Sequence, residues 1–210
     1  MKKLHLGCGE RYLKGYINID FPSSEHTVQK KSVADEHHNL LELAYEAGSV
    51  DEIRLHHVFE HFDRPTALGL LFAWNTWLKD GGILRIEVPD YFFSGLLSLF
   101  SPLKKMRLVA TRHIFGSHEA SWAIHAEGWT RTSLRDALKL AGFELVKTRR
   151  NYWRGTVNLD VSAKKVSEGD FSKLDKFFSQ YLLDQSESEL RLKEVWKELF
   201  YKQYAKSVKR

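Results

Sequence analysis

The sequence predicts an α/β fold: a seven-stranded, mostly parallel sheet with an antiparallel edge strand, helices on both faces and a C-terminal helical extension. Three observations predict it. A glycine turn stands directly behind the first short apolar strand, the arrangement that brings a ligand to the carboxyl end of a parallel sheet. Segments of helical period then alternate with apolar strands, as crossovers between parallel strands require. Finally, Phe143 to Arg149 and Thr156 to Lys164 lie close enough in sequence to pair antiparallel, with period-two alternation in Val157-Asn-Leu-Asp-Val161.

The elements follow in order. Leu4 to Leu6 is the first strand, and Gly7-Cys8-Gly9 turns the chain; glycine at 7 and 9 permits positive φ and lets a ligand approach bare backbone. Tyr16-Ile-Asn-Ile is a second strand closed by Asp20, whose carboxylate can accept hydrogen bonds from both hydroxyls of a ribose. Together these features indicate a nucleoside-containing ligand. Phe21 to Glu25 reads as loop and Lys31 to Asp35 as a short edge strand, and the fourth strand runs from Val50 toward His57. Asp63 caps the next helix, Pro65 suits its first turn, and Ala67, Leu70, Leu71, Trp74 and Leu78 share one face. Asp80-Gly-Gly82 should stop it before a buried parallel strand, Ile83 to Val88. Residues 91–128 show no clean period but are rich in Phe, Leu, Trp and His. A connection this long, outside the carboxyl ends of the strands, is placed to form a substrate wall. Thr130 to Ala141 reads as a capped helix with a glycine stop, with Leu134, Ala137, Leu138 and Ala141 inward.

The expected division is a domain at 1–165 and a helical extension at 166–210. In the extension Leu174, Phe177, Phe178, Tyr181 and Leu182 form one stripe, and Leu192, Val195, Trp196, Leu199, Phe200 and Tyr204 another. Such stripes must be buried, either on the parent domain or in a homodimer formed through the C-terminal helices. Lys202 to Arg210 reads as a basic, solvated tail.

Composition narrows the function classes. The net charge of +5 is spread along the 210 residues rather than gathered into an arm, so nucleic acid is not indicated. Cys8 is the only cysteine, which excludes an internal disulfide and a multi-cysteine metal site and fits a reducing, cytoplasmic setting. Met1-Lys-Lys leads straight into a strand, and the most apolar later run, Ser94 to Leu103, is too short to span a bilayer, so no membrane insertion is expected.

Lys3-Leu-His-Leu-Gly7-Cys-Gly9-Glu10 with Gly15-Tyr-Ile-Asn-Ile-Asp20 resembles motif I and the acid after the second strand of class I S-adenosylmethionine-dependent methyltransferases. It is a short variant whose intervening helix is reduced to the turn Glu10 to Gly15. Ser49 to His61 resembles that family's fourth strand with its apolar-Glu-His ending, and Leu78 to Asp90 its fifth-strand region. The likeness covers residues 3 to 163 and implies a Rossmann-like sheet. It further implies S-adenosylmethionine held by Leu6, Gly7, Cys8, Gly9 and Asp20, with Asp35 or Asn39 toward the adenine and His56 close by. The short turn, the Glu-His pair and the His-rich insertion most resemble methyltransferases of polysaccharide and sugar biosynthesis, which implies O-methylation of a sugar hydroxyl on a glycan or glycan precursor.

A sulfonium methyl donor already carries a good leaving group, so the protein must align it with a nucleophile and take up that nucleophile's proton. The exit of the fourth strand supplies His57, Glu60 and His61, and the insertion supplies His118 and His125, with His113 nearby, as candidate catalytic groups. Glu60 and His61 are also candidate ligands for Mg or Mn. Ubiquinone-pathway and small-RNA 2′-hydroxyl methyltransferases hold magnesium on a similar Glu-x-x-Glu-His signature, although here His57 replaces the first glutamate and imidazole suits softer metals. His57-Val-Phe-Glu60-His61 also matches the inverted zinc-protease pattern, which needs both histidines on a helix rather than at a strand exit. Three alternatives stand beside the sugar reading: a small-molecule or RNA O-methyltransferase, a non-catalytic S-adenosylmethionine-binding or partner module, and a nicotinamide-dependent oxidoreductase. Against the last, Tyr12 stands where a dinucleotide fingerprint needs its third glycine.

Overall fold

The computed structural model describes residues 1–22, 24, 31–153 and 155–208; the expected loop at 21–25 and the end of the basic tail fall partly outside them. Seven strands form one sheet: β1 (Lys3–Leu6), β2 (Ile17–Asp20), β3 (Glu36–His37), β4 (Val50–His56), β5 (Leu78–Pro89), β6 (Phe143–Trp153) and β7 (Thr156–Lys165). Their order is β3-β2-β1-β4-β5-β7-β6. β7 runs antiparallel to both β5 and β6, and the other pairings are parallel. The order reverses between β1 and β4, which opens a crevice at their carboxyl ends.

Alternation along the strands gives the sheet two unlike faces. Leu4, Leu6, Ile53, Leu55, Leu84, Ile86, Leu159 and Val161 are buried in one cluster with residues of α1 (Arg64–Trp77) and α4 (Arg131–Leu140). The alternate positions are polar and satisfy one another. Glu52 accepts from the Tyr16 hydroxyl at 2.6 Å and forms ion pairs with Lys3 at 3.0 Å and Arg85 at 2.8 Å. β5 is therefore not buried on both sides as its sequence implied.

Several expected boundaries move. β3 is Glu36–His37 rather than Lys31 to Asp35, because the Asp35 carboxylate accepts from the Asn18 backbone N–H at 2.8 Å and its amide at 2.9 Å, which sets the register one step later. α1 ends at Trp77, not at the glycine pair, and Leu78 already pairs with Val50; an irregularity between Val50 and Glu52 absorbs residues 79–82. Residues 91–128, aperiodic in sequence, hold two helices, α2 (Tyr91–Phe100) and α3 (Lys104–Phe115). β6 continues to Trp153 because β7 pairs with it to the hairpin tip.

α1 is buried almost all round rather than along a single stripe. Its second face is covered by α6 (Glu187–Ser207), and α5 (Leu174–Ser179) buries Phe177 and Phe178. Gly69 permits the approach, since a Cβ there would lie 2.8 Å from the Phe200 carbonyl oxygen. Trp77 Nε1 donates to Ser207 O, and Gln203 Nε2 donates to Leu41 O at 3.0 Å. The chain thus covers Phe178 and Phe200 by itself, while Leu192, Val195 and Leu199 stay exposed. Gln203 and Ser207 are buried while Lys202 and Lys206 are exposed, so the basic face is solvated as expected but belongs to an anchored helix end.

Candidate active site

The crevice is a cleft of about 1180 Å³. That exceeds most single-ligand pockets, so two ligands can lie side by side in it. The glycine turn forms its floor. Gly7 and Cys8 donate backbone N–H groups to Ile19 O at 2.8 and 3.1 Å, which clamps the turn to β2. Gly7 has φ +66°, and a Cβ there would sit 2.3 Å from Val58 Cγ2; Gly9 has φ +55° and faces open space. Asp20, at the end of β2, accepts from the Gly9 N–H at 2.5 Å and the Phe21 N–H at 2.8 Å. Its carboxylate also takes the Cys8 S–H at 3.8 Å and lines the cleft, where it is placed to meet a diol. Burial, then the Asp20 carboxylate, pushes the Cys8 thiol up to about 12, which removes it as a nucleophile.

Behind the turn a hydrogen-bond chain crosses the polar face. Arg54 Nε donates to His56 Nε2 at 2.9 Å, and the far end of the chain is Asn18 Oδ1, an acceptor only, which also takes the Leu13 N–H at 2.9 Å. The protons therefore point one way: His56 Nδ1 donates to His5 Nε2 at 3.0 Å, and His5 Nδ1 donates to Asn18 at 3.0 Å. Both rings are neutral, with burial, then Arg11 and Arg54, lowering His56 to about 3. His56 lines the cleft with both nitrogens already engaged.

At the exit of β4 the chain bends sharply. His57 takes φ +53°, a conformation costly for a side chain other than glycine, and its imidazole lies between two carboxylates. Nδ1 is 3.2 Å from Glu60 Oε1 and Nε2 is 3.5 Å from Glu87 Oε1. Burial alone would lower His57, but hydrogen bonds to Glu60 and Glu87 outweigh it and raise it to about 9. His57 draws Glu87 down to about 2. Within its neutral-pH range His57 is thus a cation, holding a proton rather than accepting one.

Glu60 is buried beneath the cleft in a single 3-10 turn, Phe59–His61. Burial would raise its carboxyl, but His57, with His61 and His125, overrides that and holds it low. The Glu60 carbonyl accepts from Ala126 and Glu127 at 2.8 and 3.1 Å, which draws the end of the insertion alongside. His61 Nδ1 donates to Ile124 O and His125 Nδ1 donates to His113 O, both at 3.0 Å. A carbonyl only accepts, so each ring in its neutral form is the tautomer with its lone pair on Nε2. One ligand atom each from Glu60, His61 and His125 lies within 4.8 Å of the others, and Glu60 Oε2 is buried without a hydrogen-bond partner among the described residues. Two imidazoles oriented by backbone carbonyls beside a buried carboxylate, with His125 Nε2 3.8 Å from Glu60 Oε1, fit a divalent ion. The donor set suits Mn better than Mg.

Not every candidate joins the site. Leu6 is buried behind the turn, and Asp35 is spent on Asn18 away from the cleft, whereas Asn39 lines it and caps the 3-10 turn Leu40–Glu42. His118 is exposed at φ +58°, donating to Phe115 O at the end of α3; its neighbour Glu119 lines the cleft instead. Sequence reasoning expected the insertion to wall the substrate side but missed the strand residues opposite the turn. There Asn151 donates to Glu87 at 2.9 Å, Asn158 donates to Asn151 at 2.9 Å, and His113 Nε2 donates to Asn158 at 3.0 Å. Tyr152 also lines the cleft, as does Trp122, whose ring centre is 6.4 Å from that of Phe21 just beyond Asp20. The polar members of the period-two run on β7 were the available signal for Asn158.

A family model described as a methyltransferase domain matches residues 6–148. The chain belongs to that family. Its methyl donor is S-adenosylmethionine, which sets aside the nicotinamide alternative. Among solved structures, a SAM-dependent methyltransferase from Methanosarcina mazei is similar at TM-score 0.55 and 17% identity, covering 80% of this chain and 93% of the other. One from Archaeoglobus fulgidus gives 0.53 and 14%, covering 78% and 86%. The 1,6-didemethyltoxoflavin-N1-methyltransferase of Burkholderia thailandensis gives 0.52 and 14%, covering 79% and 71%. At these identities the likeness is one of fold. No curated protein matches the sequence significantly.

Proposed function

We propose that this methyltransferase O-methylates a sugar hydroxyl on a glycan or glycan precursor. S-adenosylmethionine lies over Gly7 to Gly9, its ribose on Asp20 and its adenine toward Asn39. The observation that carries the acceptor reading is the wall facing that turn. Asn151, Asn158 and Glu87 offer paired donors and acceptors to neighbouring hydroxyls, and elsewhere in the same cleft the Tyr152 and Trp122 rings offer flat apolar faces to the carbon side of a sugar.

His61 lines the cleft with its Nε2 lone pair available, and we assign it the hydroxyl proton. The hydroxyl grows more acidic as the carbon–oxygen bond forms, and such transfer typically contributes about 10²–10⁴-fold. His57, a cation between Glu60 and Glu87, braces the strand exit. His125 orients Glu60 from behind. A divalent ion on Glu60, His61 and His125 would instead lower the hydroxyl's own pKa, and the gathering of one ligand atom from each within 4.8 Å is what favours that variant.

The test is methyl transfer from isotopically labelled S-adenosylmethionine to a panel of sugar nucleotides, oligosaccharides, catechols and RNA. Label in a carbohydrate ether that falls sharply in Asn151→Ala supports the reading. Label confined to RNA or a catechol overturns it.

A further inference from the structure

The helical hairpin of α2 and α3 carries an outer surface that the cleft does not use. Phe92, Leu96, Leu99 and Phe100 recur at helical spacing on α2, and Leu103 follows in the turn; Leu99, Phe100 and Leu103 are 68%, 75% and 63% exposed. From Tyr91 to Phe115 the hairpin has no acidic residue, yet it has Lys104, Lys105, Arg107 and Arg112. Among the described residues none of these four forms an ion pair. Lys104, Lys105 and Arg112 rim a shallow groove of about 420 Å³ floored by Leu108 and Val109.

The base of the hairpin, by contrast, is tied down. Arg150 Nε pairs with the Asp90 carboxylate at 2.7 Å, its guanidinium lies 4.4 Å from the Phe93 ring centre, and Ala110 is buried. A firmly rooted element with an apolar tip and a cationic collar is the pattern of a surface-seated membrane anchor. The apolar side chains enter the headgroup boundary while lysines beside them meet anionic phosphates. Neither helix can cross: α2 has 10 residues, about 15 Å long, against a hydrocarbon core of about 30 Å, and no helix among the described residues is long and apolar enough to span.

We infer that the α2–α3 hairpin binds the surface of an anionic lipid bilayer, with Leu99, Phe100 and Leu103 inserted and Lys104, Lys105 and Arg112 on the headgroups. The absence of acidic residues selects this occupant over a second copy of the chain, whose hairpin would bring like charges together. His113 on α3 bonds Asn158 in the cleft wall, so a seated hairpin holds the cleft beside the bilayer.

Co-sedimentation with phosphatidylcholine vesicles, with and without a quarter phosphatidylglycerol, tests this without any methyl transfer. The protein should pellet with the anionic vesicles, weakly with the neutral ones, and less as salt rises. The double variant L99D/F100D should lose at least about tenfold in partitioning, and K104E/K105E should lose the preference for anionic lipid. All the side chains changed are exposed, and an unaltered melting temperature and S-adenosylhomocysteine affinity would show that the fold stands. An Asp20→Ala variant should bind vesicles like the parent, which separates this inference from the cofactor site. Failure to pellet with anionic vesicles overturns it. So does pelleting indifferent to both double variants, or a dimer in sizing, dissociated by L99D/F100D, that leaves vesicles alone.

Discussion

Asp20→Ala separates the two tasks the structure gives that carboxylate. Within the protein it accepts the Gly9 N–H at 2.5 Å and the Phe21 N–H at 2.8 Å, and in the proposed complex it also accepts two ribose hydroxyls. Hydrogen bonds to a charged group contribute about 1.5–3 kcal/mol each, so losing two ribose contacts at the low end removes about 3 kcal/mol, or about 150-fold in affinity. The internal loss is smaller. Gly9 is only half-buried and its N–H can turn to water, so stability should fall by about 1 kcal/mol and melting by about 2–4 °C in a chain of this size. Isothermal calorimetry with S-adenosylhomocysteine reads the first effect and differential scanning calorimetry the second. Unchanged affinity beside lowered melting would show that Asp20 only ties the glycine turn, and the ribose assignment would be wrong.

His61→Ala should lower turnover by about 10²-fold or more with little change in S-adenosylhomocysteine affinity, whereas His118→Ala, outside the cleft, should leave turnover intact; equal effects in both would discredit the base assignment. Incubation with EDTA distinguishes the two ways of handling the proton: loss of turnover restored by Mn²⁺ supports an ion on Glu60, His61 and His125, and full activity in chelator assigns the task to His61 alone. In chelator-treated protein His57 holds its proton to about pH 9, against 6.5 as its ordinary value. Its pairing with Glu60 and Glu87 is therefore complete below pH 6.5 and disappears as pH rises through 9, so melting temperature should fall across that interval, and a His57→Gln variant should lack the slope. Gly7→Ala, with its Cβ placed 2.3 Å from Val58 Cγ2 at a positive φ, should lower both melting temperature and cofactor affinity; a tight-binding, parent-like variant would mean that the turn is looser than described.

Local physics made much of this protein legible in its sequence. The glycine turn, Asp20 at the end of β2, the Asp63 cap, Pro65 and the helix stop at Gly142 each act within a few residues, and each stands where the residues indicated. What depended on distant partners was not legible. β3 was displaced because Asn18 captures Asp35 across the sheet edge. α1 is buried on two faces because α6, more than a hundred residues later in the chain, lies against Gly69. The polarity of β5 made sense only once Arg85 met Glu52 on the neighbouring strand. At the cleft, sequence could place His57, Glu60 and His61 together because they fall within five residues at a strand exit. It could not rank His125 above His118, seven residues apart in one aperiodic insertion, since only the hydrogen bonds from Ala126 and Glu127 to the Glu60 carbonyl decide which imidazole arrives. Nor could it assign charge: His57 became a cation and His56 a neutral link because burial and neighbouring charges, which are properties of the packed chain, set where each proton resides.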